Sequence, residues 1–244
     1  MSLGLNSGKL GRGIRTLLGV VVVGAVVAGC TTGPVSPTSS SPPPGTVDIS
    51  DLIEEESYDP KGTFLMPVFD VSDVHEHGIE IVGKILRGKV RVGDQMEIVG
   101  LGGVQTTKIV NIDKGGESVK SAEAGQSVGI AVADVNRASL ARGQVLAKPG
   151  VVVSQTRFEA DIFIVEVENG GPETVPPDLA LSYGFYDVFI EGTGSALDQP
   201  AGPGKRVRAA ITLRQDMAMA EGTRFFIRDG EDVIGIGKVT KLLG

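Results

Sequence analysis

Residues 157–168 read RFEADIFIVEVE. Phe158, Ala160, Ile162 and Ile164 fall at every second position, with Glu159 and Asp161 between them. An extended chain turns successive side chains to opposite faces, so this spacing predicts a strand with one face buried and one in water. RVRAAITLR, residues 206–214, repeats the pattern, with Val207, Ala209, Ile211 and Leu213 inward and Arg206, Arg208 and Arg214 outward. In RFFIRDGEDVIGIG, Asp229-Gly230 separates two further apolar runs and marks a hairpin.

The rest of the chain from Lys61 has the same texture. FLMPVFDV (64–71), EIVGKILRG (80–88), QMEIVGL (95–101) and TTKIVNID (106–113) are each of strand length and are separated by Gly, Asp or Asn. No stretch shows a three-turn amphipathic helix. Many short strands at regular spacing predict an all-β fold of closed or sandwiched sheets. Lys148-Pro149-Gly150 is the expected boundary, giving domains 61–150 and 151–244. At that size each half buries a modest core, so contacts between the halves are expected to add stability.

Upstream the composition changes twice. Residues 1–29 carry Lys9, Arg12 and Arg15 and no acid, followed by LLGVVVVGAVVAG (17–29), an apolar run too short to cross a bilayer. This reads as a secretory signal. Ordinary cleavage and a short uncleaved anchor are the alternatives to what Val27-Ala28-Gly29-Cys30 suggests. Those residues resemble a bacterial lipobox, in which small side chains precede a cysteine whose thiol receives a diacylglyceryl group before cleavage. The resemblance implies that Cys30 becomes an acylated N-terminus (palmitate-type chains), and two or three such chains hold a membrane far more durably than one.

Pro, Ser and Thr then fill 12 of the 15 positions of TTGPVSPTSSSPPPG (31–45), which cannot form a core. DISDLIEEESYDP (48–60) adds acid and has room for a helical turn at most. Residues 30–60 are therefore expected to be a disordered tether, reaching about 90 Å at ~3.1 Å per residue.

Charge and residue counts narrow the chemistry. The formal charge is −7, and the three cations of the leader leave −10 from Cys30 onward. Such a surface repels phosphate backbones unless a local basic groove compensates. One cysteine excludes an internal disulfide or a Cys-based metal site. No GxxxxGK[ST] loop or GxSxG elbow occurs, and Asp113-Lys114-Gly115-Gly116 matches DxxG only as a post-strand loop does. Asp73, His75 and His77 could meet on one strand face around Zn²⁺, but two imidazoles without a fixed third ligand fit a solvated loop better. The arginine face of 206–214 reads as a solvated strand surface balanced by acids, with an anionic partner as the alternative. No catalytic residue, metal site or cofactor is expected, and the chain does not read as an enzyme.

FLMPVFDV, GKILRGKVRVGDQMEIVG (83–100), EAGQSVGIAV (123–132) and ARGQVLAKPG (141–150) resemble the second domain of bacterial elongation factor Tu. RFEADIFIVEVENGG (157–171) and EGTRFFIRDGEDVIGIGKVTKLLG (221–244) resemble its third domain. The resemblance implies two consecutive antiparallel β-barrels of about six strands, side by side. It also implies that the family's GTP-binding domain is replaced here by signal, lipobox and tether, so that neither GTP binding nor hydrolysis is expected. Where the family's third domain grips tRNA with a GGRHTPF-type segment, this chain has Gly170-Gly171-Pro172-Glu173-Thr174-Val175-Pro176. The GYRPQF-type segment becomes Leu181–Asp187 without a cation, and the family's His-Pro becomes Gln215-Asp216. Losing phosphate contacts weakens binding strongly at physiological salt, so tRNA binding is not expected.

The expected protein is thus a lipid-anchored, extracytoplasmic binding or structural protein. Surface-displayed relatives engage host or envelope proteins, so a protein partner is expected, met through 170–204. Thr31 is not the Asp that favours inner-membrane retention, which leaves the outer membrane open for a Gram-negative cell. The alternative is an elongation-factor-like RNA or ribosome binder kept in the cytoplasm with its signal unused.

Overall fold

The computed structural model describes residues 52, 58–74, 78–186 and 188–244. Residues 1–29, expected as a signal peptide, Cys30, most of the expected tether to residue 60, His75 and His77 lie outside the described residues.

Ten strands build the first unit: β1 (Leu65–Pro67), β2 (Asp70–Val74), β3 (Gly78–Lys84), β4 (Lys89–Arg91), β5 (Gln95–Val99), β6 (Val104–Lys114), β7 (Glu117–Val119), β8 (Ser121–Glu123), β9 (Ser127–Ala133) and β10 (Val145–Ala147). The main sheet runs β1-β10-β5-β6-β9-β3-β2, with β7 on β6 and β4 paired to β8. β1, at one end of this sheet, also bonds to the chain just past β3. The Leu65 N–H donates to the Arg87 carbonyl (3.1 Å), and the Leu86 N–H to the Leu65 carbonyl (2.9 Å). FLMPVFDV, expected as one strand, is broken into β1 and β2. Pro67 has no N–H to give. The Val68 N–H goes to Gln144 (2.8 Å) and the Phe69 N–H to Val82 (2.9 Å), so the chain changes partner from the β10 side to the β3 side. Met66, Ile81, Ile98, Ile109, Ile130 and Leu146 fill the interior.

The second unit is a closed barrel in the order β11-β14-β13-β12-β15-β16. Its strands are β11 (Val153–Ile164), β12 (Leu181–Phe185), β13 (Val188–Ala196), β14 (Arg206–Met219), β15 (Arg224–Asp229) and β16 (Asp232–Leu242), all antiparallel to their neighbours. The residues expected to point inward in β11 and β14 do so, and all are buried. Around Phe225, the rings of Phe158, Tyr183 and Phe185 pack at centroid distances of 5.6, 5.9 and 5.1 Å. Each contact adds roughly 0.5–1.5 kcal/mol beyond area burial. The β15–β16 hairpin turns through Gly230-Glu231, one residue later than Asp229-Gly230, because Asp229 still pairs with Asp232. Gly230, at φ 58°, takes the positive-φ place that such a turn requires. Past Ile164 the chain leaves the sheet for a short 3-10 turn at Val167–Asn169, so VEVE does not extend β11.

The barrels meet through an apolar seam containing Val99, Val145, Val152 and Ala218, with the Leu101 N–H donating to the Asp216 carbonyl at 3.1 Å. The approach is close: a Cβ on Gly143 would lie 2.6 Å from Val188 Cγ2.

Candidate functional site

The segment 170–204 carries Glu173, Asp178, Asp187, Glu191 and Asp198 and no Lys or Arg. It begins on backbone demands. Gly170 sits at φ 92° as the cap of the 3-10 turn, donating to the Val167 carbonyl at 3.1 Å. The Gly171 N–H donates to the Glu166 carbonyl at 2.8 Å, and a Cβ there would collide with the Val165 carbonyl. These two glycines are kept by the path of the chain. Pro172 and Glu173, half-buried and exposed, are not so constrained.

The next loop is pinned from beneath. Tyr183 on β12 is buried, and its hydroxyl donates to the Leu179 carbonyl at 2.9 Å. Burial, and secondarily the negative Asp178, pushes this hydroxyl well above the ordinary tyrosine range, so it stays a donor. Leu179 holds φ 47°, its N–H bonded to Pro176 (2.9 Å), and the Asp178 carbonyl accepts from Gly194 (2.7 Å). Asp178 therefore stands exposed on a fixed loop.

At the far end of β13, Ser195–Pro200 and Pro177 border a shallow depression of about 370 Å³ that opens widely to solvent. Asp198 Oδ1 accepts from the Gln199 N–H (2.8 Å) and the Arg208 N–H (3.1 Å), which leaves Leu197 exposed beside it. This surface offers the acid of Asp198 beside the apolar side chains of Pro177, Ala196, Leu197 and Pro200. It suits a cationic or apolar protein surface far better than phosphate.

The arginine face is largely internally balanced. Arg206 Nη2 lies 3.0 Å from Asp161 Oδ2, and Arg214 Nη1 lies 2.8 Å from Glu191 Oε2. Gln215 and Asp216 continue β14, and the Asp216 carbonyl is taken up by the seam between barrels. Asp73, the third residue of the metal candidate, lies 3.8 Å from Arg137 Nε. Among the described residues no three His, Cys, Asp or Glu side chains converge as a metal would need. Asp113 Oδ1 accepts the Gly116 N–H (3.0 Å) across a turn in which Gly115 and Gly116 both have positive φ. The DxxG match is a β6–β7 hairpin.

One feature escaped the sequence reading. Phe163, Phe189, Phe226 and Ile236 are out of phase with the inward residues and lie on the outside of the second barrel. The signal was present in RFFIRD, where two successive phenylalanines cannot both face inward on a strand.

Two consecutive antiparallel β-barrels define the fold class. Residues 78–147, which run from β3 to β10, match the family model described as elongation factor Tu domain 2. The first barrel is an elongation factor Tu-like domain.

Proposed function

We propose that this chain is a lipid-anchored, extracytoplasmic binding or structural protein that displays an elongation factor Tu-like two-barrel module and has no GTPase activity. The second barrel, closed and six-stranded directly after a domain 2-like unit, is read as the counterpart of the family's third domain. The observation that carries the proposal is the order of segments. A cationic leader and an apolar run end in Val27-Ala28-Gly29-Cys30, a Pro/Ser/Thr tract follows, and only then does the folded module begin. In this reading the Cys30 thiol loses its proton and displaces the phosphate headgroup of a membrane phospholipid, leaving a thioether to the diacylglyceryl carbon. Each buried methylene contributes about 0.8 kcal/mol, so two chains hold where one is marginal. The partner is a protein met by the acidic 170–204 surface, because the cations that would grip tRNA phosphates are missing there.

Detergent partition tests the anchor. Wild type should enter the Triton X-114 phase and Cys30→Ser should remain aqueous. If both remain aqueous with residues 1–29 still attached, the anchor reading is wrong and the cytoplasmic translation-factor-like reading takes its place.

A further inference from the structure

The depression at the far end of β13 uses several of its hydrogen-bond donors internally and leaves acceptors free. The Leu197 N–H goes to the Arg208 carbonyl at 2.8 Å, and the Gln199 N–H to Asp198 Oδ1 at 2.8 Å. Gln199 Nε2 donates to the Arg206 carbonyl at 2.9 Å, and Pro177 and Pro200 have no N–H to give. Among the described residues nothing donates to Asp198 Oδ2 or to Gln199 Oε1. The carboxylate is held in place all the same, because its Oδ1 accepts from both the Gln199 and the Arg208 N–H groups. Arg208 contributes that backbone group and, among the described residues, no ion pair to Asp198.

We propose that this depression is the seat for an arginine side chain of the protein partner. The inference names the recognition chemistry of the 170–204 surface and rests on the reading of that surface as a protein-binding one. Three observations favour a guanidinium. The charges are complementary, since Asp198 lines the depression and 170–204 holds neither Lys nor Arg. Pro177, Ala196, Leu197 and Pro200 supply apolar walls, with Leu197 46% exposed. Such walls suit the stem of a long cation, which lies along apolar surface while its head seeks oxygen. The free acceptors match a flat head with five N–H donors better than the compact, strongly hydrated ammonium of lysine. At about 370 Å³ the depression stands at the small end of ligand sites, with room for one side chain.

Other occupants fit less well. A phosphate would meet oxygens of its own polarity. An apolar side chain would cover Asp198 Oδ2 and leave that charge without a partner. A divalent cation takes several oxygen ligands, and no three His, Cys, Asp or Glu side chains converge among the described residues. An exposed ion pair adds little affinity alone, so the seat selects a partner and fixes its register more than it holds it.

The test uses the full chain with Cys30→Ser, so its outcome does not depend on the lipid anchor. N-acetyl-arginine amide is titrated into the isotope-labelled protein at low salt and followed by NMR, with the citrulline analogue, of similar shape and no charge, as the control. The amide resonances of 195–199 should move saturably with arginine and stay still with citrulline, and raising the salt should weaken the response. Asp198→Asn keeps an oxygen for the Gln199 and Arg208 N–H groups, so its spectrum elsewhere should be unchanged while arginine binds about fivefold more weakly. Leu197→Ser, at an exposed position, should weaken binding several-fold by removing a wall for the stem. Equal shifts from citrulline, or Asp198→Asn binding arginine as well as wild type does, would overturn the seat. Shifts confined to residues around Glu173 and Asp178 would overturn the seat and leave 170–204 a cation-binding surface. No shift anywhere in 170–204 would overturn both.

Discussion

Replacing Tyr183 by Phe removes one oxygen from the interior of the second barrel and leaves the ring in the Phe225 cluster. The hydroxyl lost is the donor to the Leu179 carbonyl at 2.9 Å. Both residues are fully buried, and Leu179 is also held at a positive φ. A buried acceptor deprived of its partner costs about 1–2 kcal/mol. If the second barrel melts alone, that is a fall in Tm of roughly 4–8 °C per kcal/mol; if both barrels melt as one unit, roughly 2–4 °C per kcal/mol. Alkaline pH supplies a second readout. Burial, then Asp178, raises the folded-state pKa above the unfolded value near 10. The native state therefore keeps a proton that the unfolded chain gives up. The stabilisation from this group is whole below pH ~10 and falls by about 1.4 kcal/mol per unit as pH rises toward the folded pKa. Denaturant titrations of wild type and Tyr183→Phe from pH 7 to 11 should show a gap that is constant to about pH 10 and then closes. A variant as stable as wild type at pH 7, or two curves that stay parallel into alkali, would refute the account of this loop.

Gly171→Ala must push against the Val165 carbonyl and should cost about 2 kcal/mol or more, whereas Gly170→Asn, a residue that tolerates positive φ and meets open space, should cost under about 1 kcal/mol by chemical denaturation. The half-buried Arg206–Asp161 pair and the exposed Arg214–Glu191 pair should separate in the same assay: Arg206→Ala costs about 1 kcal/mol and Arg214→Ala under about 0.5. Gly143→Val drives a branched side chain into Val188 at a position with φ 91°, so calorimetry should show the two barrels melting further apart than in wild type. A single unshifted transition would mean the seam carries little of the stability.

Strand identity was readable wherever one face meets core and the other meets water, because alternation is then enforced by burial. Phe158 through Ile164 and Val207 through Leu213 are such cases. It failed where hydrogen bonding overrides pattern. FLMPVFDV is apolar but for Asp70, yet Pro67 and the change of partner at Val68–Phe69 divide it. VEVE alternates well, yet the chain leaves the sheet after Ile164 for the 3-10 turn at Val167–Asn169, which Gly170 caps. In the candidate site, the lack of Lys and Arg across 170–204 could be read from residue types alone. The rigidity of the Asp178 loop could not, since it comes from a tyrosine four residues away in sequence that reaches it through the core. The outer apolar row was hidden for another reason. Its members sit on four strands and are joined only by register.

The central claim concerns Cys30, and intact-mass and N-terminal peptide spectrometry of the protein extracted from its own cells addresses it directly. The account predicts a mature chain that starts at Cys30 and carries a diacylglyceryl mass on that residue, with the extra acyl group if the amine is also modified. A chain that retains residues 1–29 and bears a free thiol at Cys30 would contradict it.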